Sequence, residues 1–479
     1  MAKQKSITSN FIYNILLTLS AYIAQLIVYP YVSRVLGVDN MGIIGFVNKT
    51  IDIFLIFSTL GISTVGVREI AAARNNKEEM SRVFSLLVTF GTITSLVVSV
   101  VYLGAILWIT KFNVYSNLFL IGLAKLIFSN FLIQWLYTGT ENFRYITIRT
   151  LIIKVLYIIS VFVFVREQDD YTIYFSLTIA STVLNGLINW LFSRKLVRFR
   201  FRVDGIRQYF KPMFTFGLYH MLNATFSTCN YMFLGFIATK TEVGYYYTAE
   251  NFYFILLAGI TAFTRVMLPR MSSLIADDKK EEFDSLVNKS FDAILSVCLP
   301  IAIFGVFFAS GIIGLFSGQG YEGAVVPMQI MMALIVINGI NQIFIVQIAT
   351  PLRLDKEILI GTAVATVVAL GSNYFMIKYF GAIGCSIVLV ISVVVANVYP
   401  IYCLLKRKYM KLPVRLFVRH ILAAIPYVLI CVLAIYFGDN NSIISMIVAA
   451  SCFAIYFFLY PGKAYVVTYW NRFVGNKFK

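Results

Sequence analysis

The sequence predicts an all-α polytopic membrane protein of about fourteen transmembrane helices, arranged as two six-helix lobes with two helices after them. Three observations carry that prediction. First, the composition is 59% hydrophobic and only 13% charged, with a mean hydropathy of +0.82, which excludes an ordinary soluble domain. Second, the apolar residues fall in runs long enough to cross a hydrocarbon core, which takes roughly 20 residues at about 1.5 Å rise each. Third, the basic residues occupy every second gap between those runs. Gaps read as inward hold Lys3 and Lys5, then Arg68, Arg74, Lys77 and Arg82, then Arg144 and Arg149, and the pattern continues to Lys477 and Lys479. Gaps read as outward hold only Lys111, Arg166, Lys240 and Lys378. Such alternation orients a polytopic protein with both termini cytoplasmic.

Taken in order, the runs are residues 11–36, 41–66, 83–109, 117–138, 146–165 and 171–192 in the first lobe (1–192). A basic cytoplasmic linker follows at 193–212. The second lobe (213–405) has runs at 213–237, 244–266, 290–316, 324–349, 358–377 and 381–403. Two more, 420–437 and 442–461, lie in the last segment, 406–479, with its cytoplasmic tail. The N-terminal run is too long for a signal-peptide core and lacks a small-x-small cleavage site, so it reads as the first membrane helix. A weak internal repeat supports the two lobes. An offset of 202 residues aligns Gly42 with Gly244, Arg68 with Arg270, Lys77 with Lys279 and Glu79 with Glu281. Six helices per copy makes the repeat parallel, about an axis along the membrane normal.

The +18 net charge follows from orientation, and contact with anionic membrane lipid is a further consequence. Nucleic acid is excluded as a partner, because no basic stretch belongs to a folded soluble module. The six cysteines form no CxxC pair, and with only His220 and His420 a metal site is not indicated. No cofactor is expected. Nucleophile-elbow, zinc-protease and phosphate-loop motifs are lacking, so the chain reads as a transporter rather than an enzyme. A membrane glycan polymerase would need a long external loop, and the outward gaps are short.

Four basic residues lie inside the apolar runs: Arg34, Lys49, Lys125 and Lys154. Charge at membrane depth is costly and marks function. Arg34, Lys49 and Lys125 fall in the outer half of the first lobe and suit a multiply negative head group such as a diphosphate, with Lys154, deeper on the cytoplasmic side, as a fourth cavity cation. Lys49 has a plainer reading as the ion-pair partner of Asp52, three residues on, and Arg34 as a side chain snorkelling outward. Lys125 has no acidic residue within one turn. Polar stripes accompany the cations. Asn14, Thr18 and Gln25 share a face of the first helix, and His220, Asn223, Ser227 and Asn230 share a face of the seventh. The 202-residue offset puts Thr18 opposite His220 and Gln25 opposite Ser227. These stripes face either a hydrated interior or one another through interhelical hydrogen bonds.

The run Gln134-Trp135-Leu136-Tyr137-Thr138-Gly139-Thr140-Glu141-Asn142-Phe143-Arg144-Tyr145 resembles the Trp…Gly-x-Glu-x-(aromatic)-Arg-(aromatic) end of the fourth helix in Wzx-type flippases. Leu234-Gly235, Val243-Gly244-Tyr245-Tyr246 and Ala249-Glu250 resemble their seventh-to-eighth helix junction, and Arg68-Glu69-Ile70-Ala71 the end of their second helix. The resemblance covers roughly residues 5–405 and extends to the MATE-like superfamily. It implies a flippase in the bacterial cytoplasmic membrane. The expected activity carries an undecaprenyl-diphosphate-linked oligosaccharide repeat unit, for O-antigen, capsule or a related glycan, to the outer leaflet by alternating access. A proton or sodium ion would couple transport, and the polymerase and other glycan-assembly proteins would be partners. One position departs from the pattern: Asn230 stands where many relatives carry an acidic residue, which leaves Asp52 and Glu250 as candidate coupling groups. A multidrug or metabolite exporter and a peptidoglycan-precursor flippase are the alternatives on the same fold.

Overall fold

The computed structural model describes residues 7–410, 412–438 and 443–459, and among these the regular elements are all helical. Among the described residues ten helices are long and apolar enough to cross a membrane. The two longest are at least twice what one crossing needs. Ser20–Thr59 has 40 residues and Asp355–Lys406 has 52, where roughly 20 suffice. Each is interrupted by a glycine with non-helical backbone, Gly37 (φ 76°, ψ 167°) and Gly381 (φ 52°, ψ −127°). The chain divides into two compact units, Met1–Phe236 and Ile237–Lys479.

The first unit contains α1 (Ile7–Thr59), α2 (Ile62–Ala72), α3 (Lys77–Trp108), the short α4 (Thr110–Val114), α5 (Ser116–Phe128), α6 (Gln134–Gly139), α7 (Phe143–Phe164), α8 (Tyr171–Ser193) and most of α9 (Arg207–Ile237). The bend at Gly37 is fastened by Asn40, whose Nδ2 donates to Leu36 O at 3.1 Å and Gln168 O at 2.9 Å. α3 starts where Asn76 Oδ1 accepts from the amides of Glu78 and Glu79, and those two carboxylates favour the positive helix end. An apolar core joins α2, α3 and α6 through Val65, Ile70, Phe84, Leu87, Trp135 and Tyr137. The flippase-like run is part of this core: a side chain at Gly66 would strike the Trp135 ring, and one at Gly139 would strike Ile70.

The basic linker is bound along its backbone rather than loose. Arg198 N, Arg200 N and Arg202 N donate to Ser81, Ser85 and Thr89 at 3.1, 3.0 and 3.5 Å. Hydroxyls four apart on a helix rise about 6 Å per step, close to two residues of extended chain, so the two registers match.

The second unit contains α10 (Lys240–Ala276), α11 (Lys280–Phe307), α12 (Ala309–Ser317), α13 (Val325–Gln342), α14 (Asp355–Lys406), α15 (Val414–Phe437) and α16 (Ile443–Leu459). A π-helical turn, Ile343–Ala349, continues α13. The Glu242 carboxylate, at the start of α10, accepts Ala382 N at 2.6 Å and so holds the bend at Gly381. α15 is tied to α11 by the buried Asp292 carboxylate, which bonds Arg419 and, at 2.7 Å, His420 Nε2. Tyr427 and Cys431 of α15 pack with Phe308, Met446 and Ala449.

A Cβ at Gly381 would be strained by its positive φ and would meet the Glu242 carboxylate, whereas one at Gly371 has open space around it. Gly381→Val is therefore expected to destabilise the protein by about 1–3 kcal/mol, and Gly371→Ala to stay within about 0.5 kcal/mol. Thermal unfolding of the purified variants in detergent measures both.

Candidate functional site

Asn48 and Asp52 lie one turn apart on the second half of α1 and so share a face. Lys125 projects from α5. Its Nζ donates to Asn48 Oδ1 at 2.6 Å and to Asp52 Oδ1 at 2.7 Å. The lysine side chain is 17% exposed and the Asp52 side chain 37%. An ammonium has three N–H donors, so one remains for water or a ligand after these two bonds. Lys49, next along α1, places its Nζ 4.8 Å from the ring centre of Tyr231 on α9. Tyr231 is fully buried, and its aromatic face attracts the cation. Phe46 of α1 packs on Phe112, Phe119 and Phe236, with centroid distances of 6.1, 6.3 and 5.9 Å. Gly235 gives α9 room for that ring.

Just beyond Lys125 the helix breaks. α5 passes into a 3₁₀ turn, Ser129–Leu132, and Ile133 takes left-handed backbone angles (φ 30°, ψ 34°) before α6 begins. For a β-branched residue this is a strained conformation, and broken membrane helices are found where backbone lines a site. Asn130 Nδ2 steadies the break by donating to Thr92 Oγ1 at 2.9 Å, and Asn189 Nδ2 does so by donating to Leu132 O.

The residues predicted to act together are partly brought together. Lys49, Asp52 and Lys125 meet around one turn of α1. The ion pair recorded for Asp52 is with Lys125 rather than Lys49, because the i+3 neighbour turns to α9 while α5 packs on α1. Lys125, which has no acid near it in sequence, finds one across the helix interface. Arg34 is exposed beyond the Gly37 bend. Lys154 is engaged elsewhere, its Nζ donating to Ser20 Oγ at 2.9 Å. Gln25 is half-buried and Asn230 fully buried. Glu250, on α10 of the second unit, is 2% exposed. The side chains of Asn14, Thr18, His220, Asn223 and Ser227 lie outside the described residues. Two partners escaped the sequence reading, Asn48 and Tyr231, since neither carries charge and both are defined only by contacts between helices. Among the described residues no group of three His, Cys, Asp or Glu side chains could hold a metal ion.

This arrangement lies within a wider likeness. The polysaccharide biosynthesis protein family matches residues 7–275. The chain belongs to that family. Among curated relatives of this chain is the "Putative O-antigen transporter" of Escherichia coli (strain K12), 22% identical over 361 residues, covering 74% of this chain and 85% of the relative. A protein of the same name from Shigella flexneri is 25% identical over 408 residues, covering 80% and 94%. Solved structures share the fold, two of them as follows. The lipid II flippase MurJ in an inward closed conformation superposes with a TM-score of 0.77 at 16% identity, over 93% of this chain and 98% of its own. An inward-facing multidrug resistance MATE family transporter of the MOP superfamily gives 0.60 at 16% identity, over 82% and 97%. This member of the family is a multi-pass membrane transporter rather than an enzyme, as its relatives and its apolar helices indicate. The Wzx-type resemblance and the MATE-like, all-α fold expected from the sequence agree with these findings.

Removing one partner of the Lys125–Asp52 pair leaves the other charge without its counter-ion, while removing both does not. Because Asp52 is more than a third exposed, solvent screens the pair and the coupling is modest. A double-mutant cycle with Asp52→Asn, Lys125→Met and the combined variant is expected to give a coupling energy of about 1 kcal/mol, the double variant being more stable than the sum of the singles. Thermal or denaturant unfolding in detergent provides the four stabilities.

Proposed function

We propose that this protein flips a lipid-linked oligosaccharide, its sugars joined to undecaprenyl through a diphosphate, from the inner to the outer leaflet of the bacterial cytoplasmic membrane. The single observation that carries this reading is the Lys125 ammonium, held at membrane depth by Asn48 and Asp52 with one donor to spare and Lys49 alongside. Lys49, Lys125 and Asp52 together bear one net positive charge, which suits an anion. An exporter of organic cations would call for the opposite sign. The family and the names of the curated relatives support the same reading, and so does the fold shared with flippases and exporters.

In the mechanism we draw, the diphosphate oxygens take the spare donor of Lys125 and the cation of Lys49 through charge-assisted hydrogen bonds. The half-exposed Asp52 is then left with less of its counter-charge and attracts a proton or sodium ion. Substrate arrival and ion uptake are in this way linked at one turn of α1, with Glu250 as the other carboxylate available for coupling. Arg34, exposed near the bend of α1, would meet the head group on its way out. Lys154, bonded to Ser20, would act as a structural cation. Asn14, Thr18, Gln25, His220, Asn223, Ser227 and Asn230 would supply polar contacts to sugar hydroxyls or water. The resting orientation on this reading has both termini in the cytoplasm, and alternating access moves the site from one leaflet to the other.

Lys125→Met and Lys49→Met are each expected to cut surface glycan at least tenfold, with lipid-linked repeat units accumulating in the inner leaflet, while Lys125→Arg retains part of the activity. Arg194→Gln, in the exposed linker, should leave it unchanged. Glycan immunoblotting at matched membrane expression decides the matter: normal surface glycan in both methionine variants overturns the proposal.

A further inference from the structure

The first turns of α7 carry a second cationic site, which uses none of the charged groups around Lys125 and shares with that region only Asn189, the amide that also steadies the helix break. A cavity of about 610 Å³ opens there, with Ile188 of α8 in its wall. α7 presents two stripes to it at i, i+4 spacing: Arg144, Ile148 and Ile152 on one, Tyr145, Arg149 and Ile153 on the other. One end of the cavity is therefore cationic and the other aliphatic.

Arg149 is the telling group. It is 8% exposed, although its place in the sequence suggested an inward loop charge. One terminal nitrogen donates to Asn189 Oδ1, the other to Thr150 Oγ1 at 2.8 Å, and the guanidinium lies over the Tyr145 ring. Its Nε has no hydrogen-bond partner, and among the described residues no carboxylate pairs with it. Glu141, the acid nearest in sequence, is engaged by Arg74 at 2.7 Å. The site is rigidly built: Tyr145 stacks on Phe192 at 3.8 Å and donates to Ile188 O at 3.2 Å. A buried guanidinium without a counter-ion is unfavourable unless an anion joins it.

We infer that this cavity binds an anionic phospholipid of the membrane, its phosphate against Arg144 and Arg149 and an acyl chain along Ile148, Ile152 and Ile188. The apolar side continues as an exposed track through Val155, Ile159 and Val163, the surface α7 offers to lipid. From Ile148 to Val163 it rises about 22 Å, enough for one acyl chain. Free phosphate would leave the isoleucines unused, and a zwitterionic lipid would bring its own cation towards the arginines. Basic pockets on the side of a membrane protein read as cytoplasmic hold anionic head groups in this way.

Native mass spectrometry of the full chain in detergent tests the inference, with phosphatidylglycerol, phosphatidylethanolamine, inorganic phosphate and undecaprenyl phosphate titrated separately. Phosphatidylglycerol is expected to bind tighter than each of the others. Arg144→Gln, an exposed change that should not disturb folding, is expected to weaken it about five-fold. Arg149→Gln should weaken it further, and Arg194→Gln should not change it. Equal binding of the two phospholipids, or unchanged binding in Arg144→Gln, overturns the inference. Inorganic phosphate binding as tightly as phosphatidylglycerol makes this an anion site without a lipid, and tighter binding of undecaprenyl phosphate gives the cavity to the polyprenyl carrier. Either result also overturns it.

Discussion

A charge held at membrane depth has to find a partner, and the contact of Lys125 with Asn48 and Asp52 is where this protein meets that requirement most visibly. An isolated ammonium in hydrocarbon would be driven to lose its proton or to drag water inward. Here a carboxylate and an amide on one turn of α1 hold it instead, so that α1 and α5 must pack in one register. The neighbouring features follow. Asn48 and Asp52 share a face only because this half of α1 is regular helix, and it is regular because the turn of the chain is concentrated at Gly37. The irregular backbone is displaced to Ser129–Ile133, where side-chain amides absorb it.

A satisfied ion pair is also a poised one. The pair is partly exposed, which lowers its worth as a fastening and raises its worth as a place where an anion can compete for the ammonium. The buried carboxylate of Asp292, 2% exposed, looks different. Asp292 takes both Arg419 and His420 and joins α15 to α11, which suits a structural tie. The contrast between the two carboxylates, one half-open on a cation with a free donor and one buried itself and bonded to two bases of α15, is the reason to seek transport at Asp52 and scaffolding at Asp292.

How much of this was legible beforehand depends on the range of the interaction. The helical class and the apolar runs are local matters, set by composition, whereas the continuation of two runs into one long helix across Gly37 and across Gly381 was not read from the sequence. The cations worth attention were also legible, since Lys49 and Lys125 stand out in apolar surroundings. Their partners were not. Lys49 has Asp52 three residues away and yet lies over Tyr231, 182 positions along the chain; Lys125 bonds a residue 73 positions before it. Such pairings are decided by which helix faces pack, and periodicity alone does not specify that. Arg149 shows the same limit, because a residue in the first two turns of a helix looks like a loop charge until the neighbouring helix covers it. The Trp135 and Gly139 signature was recognised as a pattern, and the core against Gly66 and Ile70 supplies its physical reason.

The central claim is that Lys125 engages the diphosphate of a lipid-linked sugar. Reconstitution into liposomes tests it most directly, by following how fast a fluorescent undecaprenyl-diphosphate oligosaccharide in the inner leaflet becomes accessible to an external quencher. The account predicts rapid exposure with the wild-type protein, a fall of at least tenfold with Lys125→Met, and no transport of an organic cation dye. Equal rates for the wild type and Lys125→Met, or transport of the dye without the lipid, would contradict it.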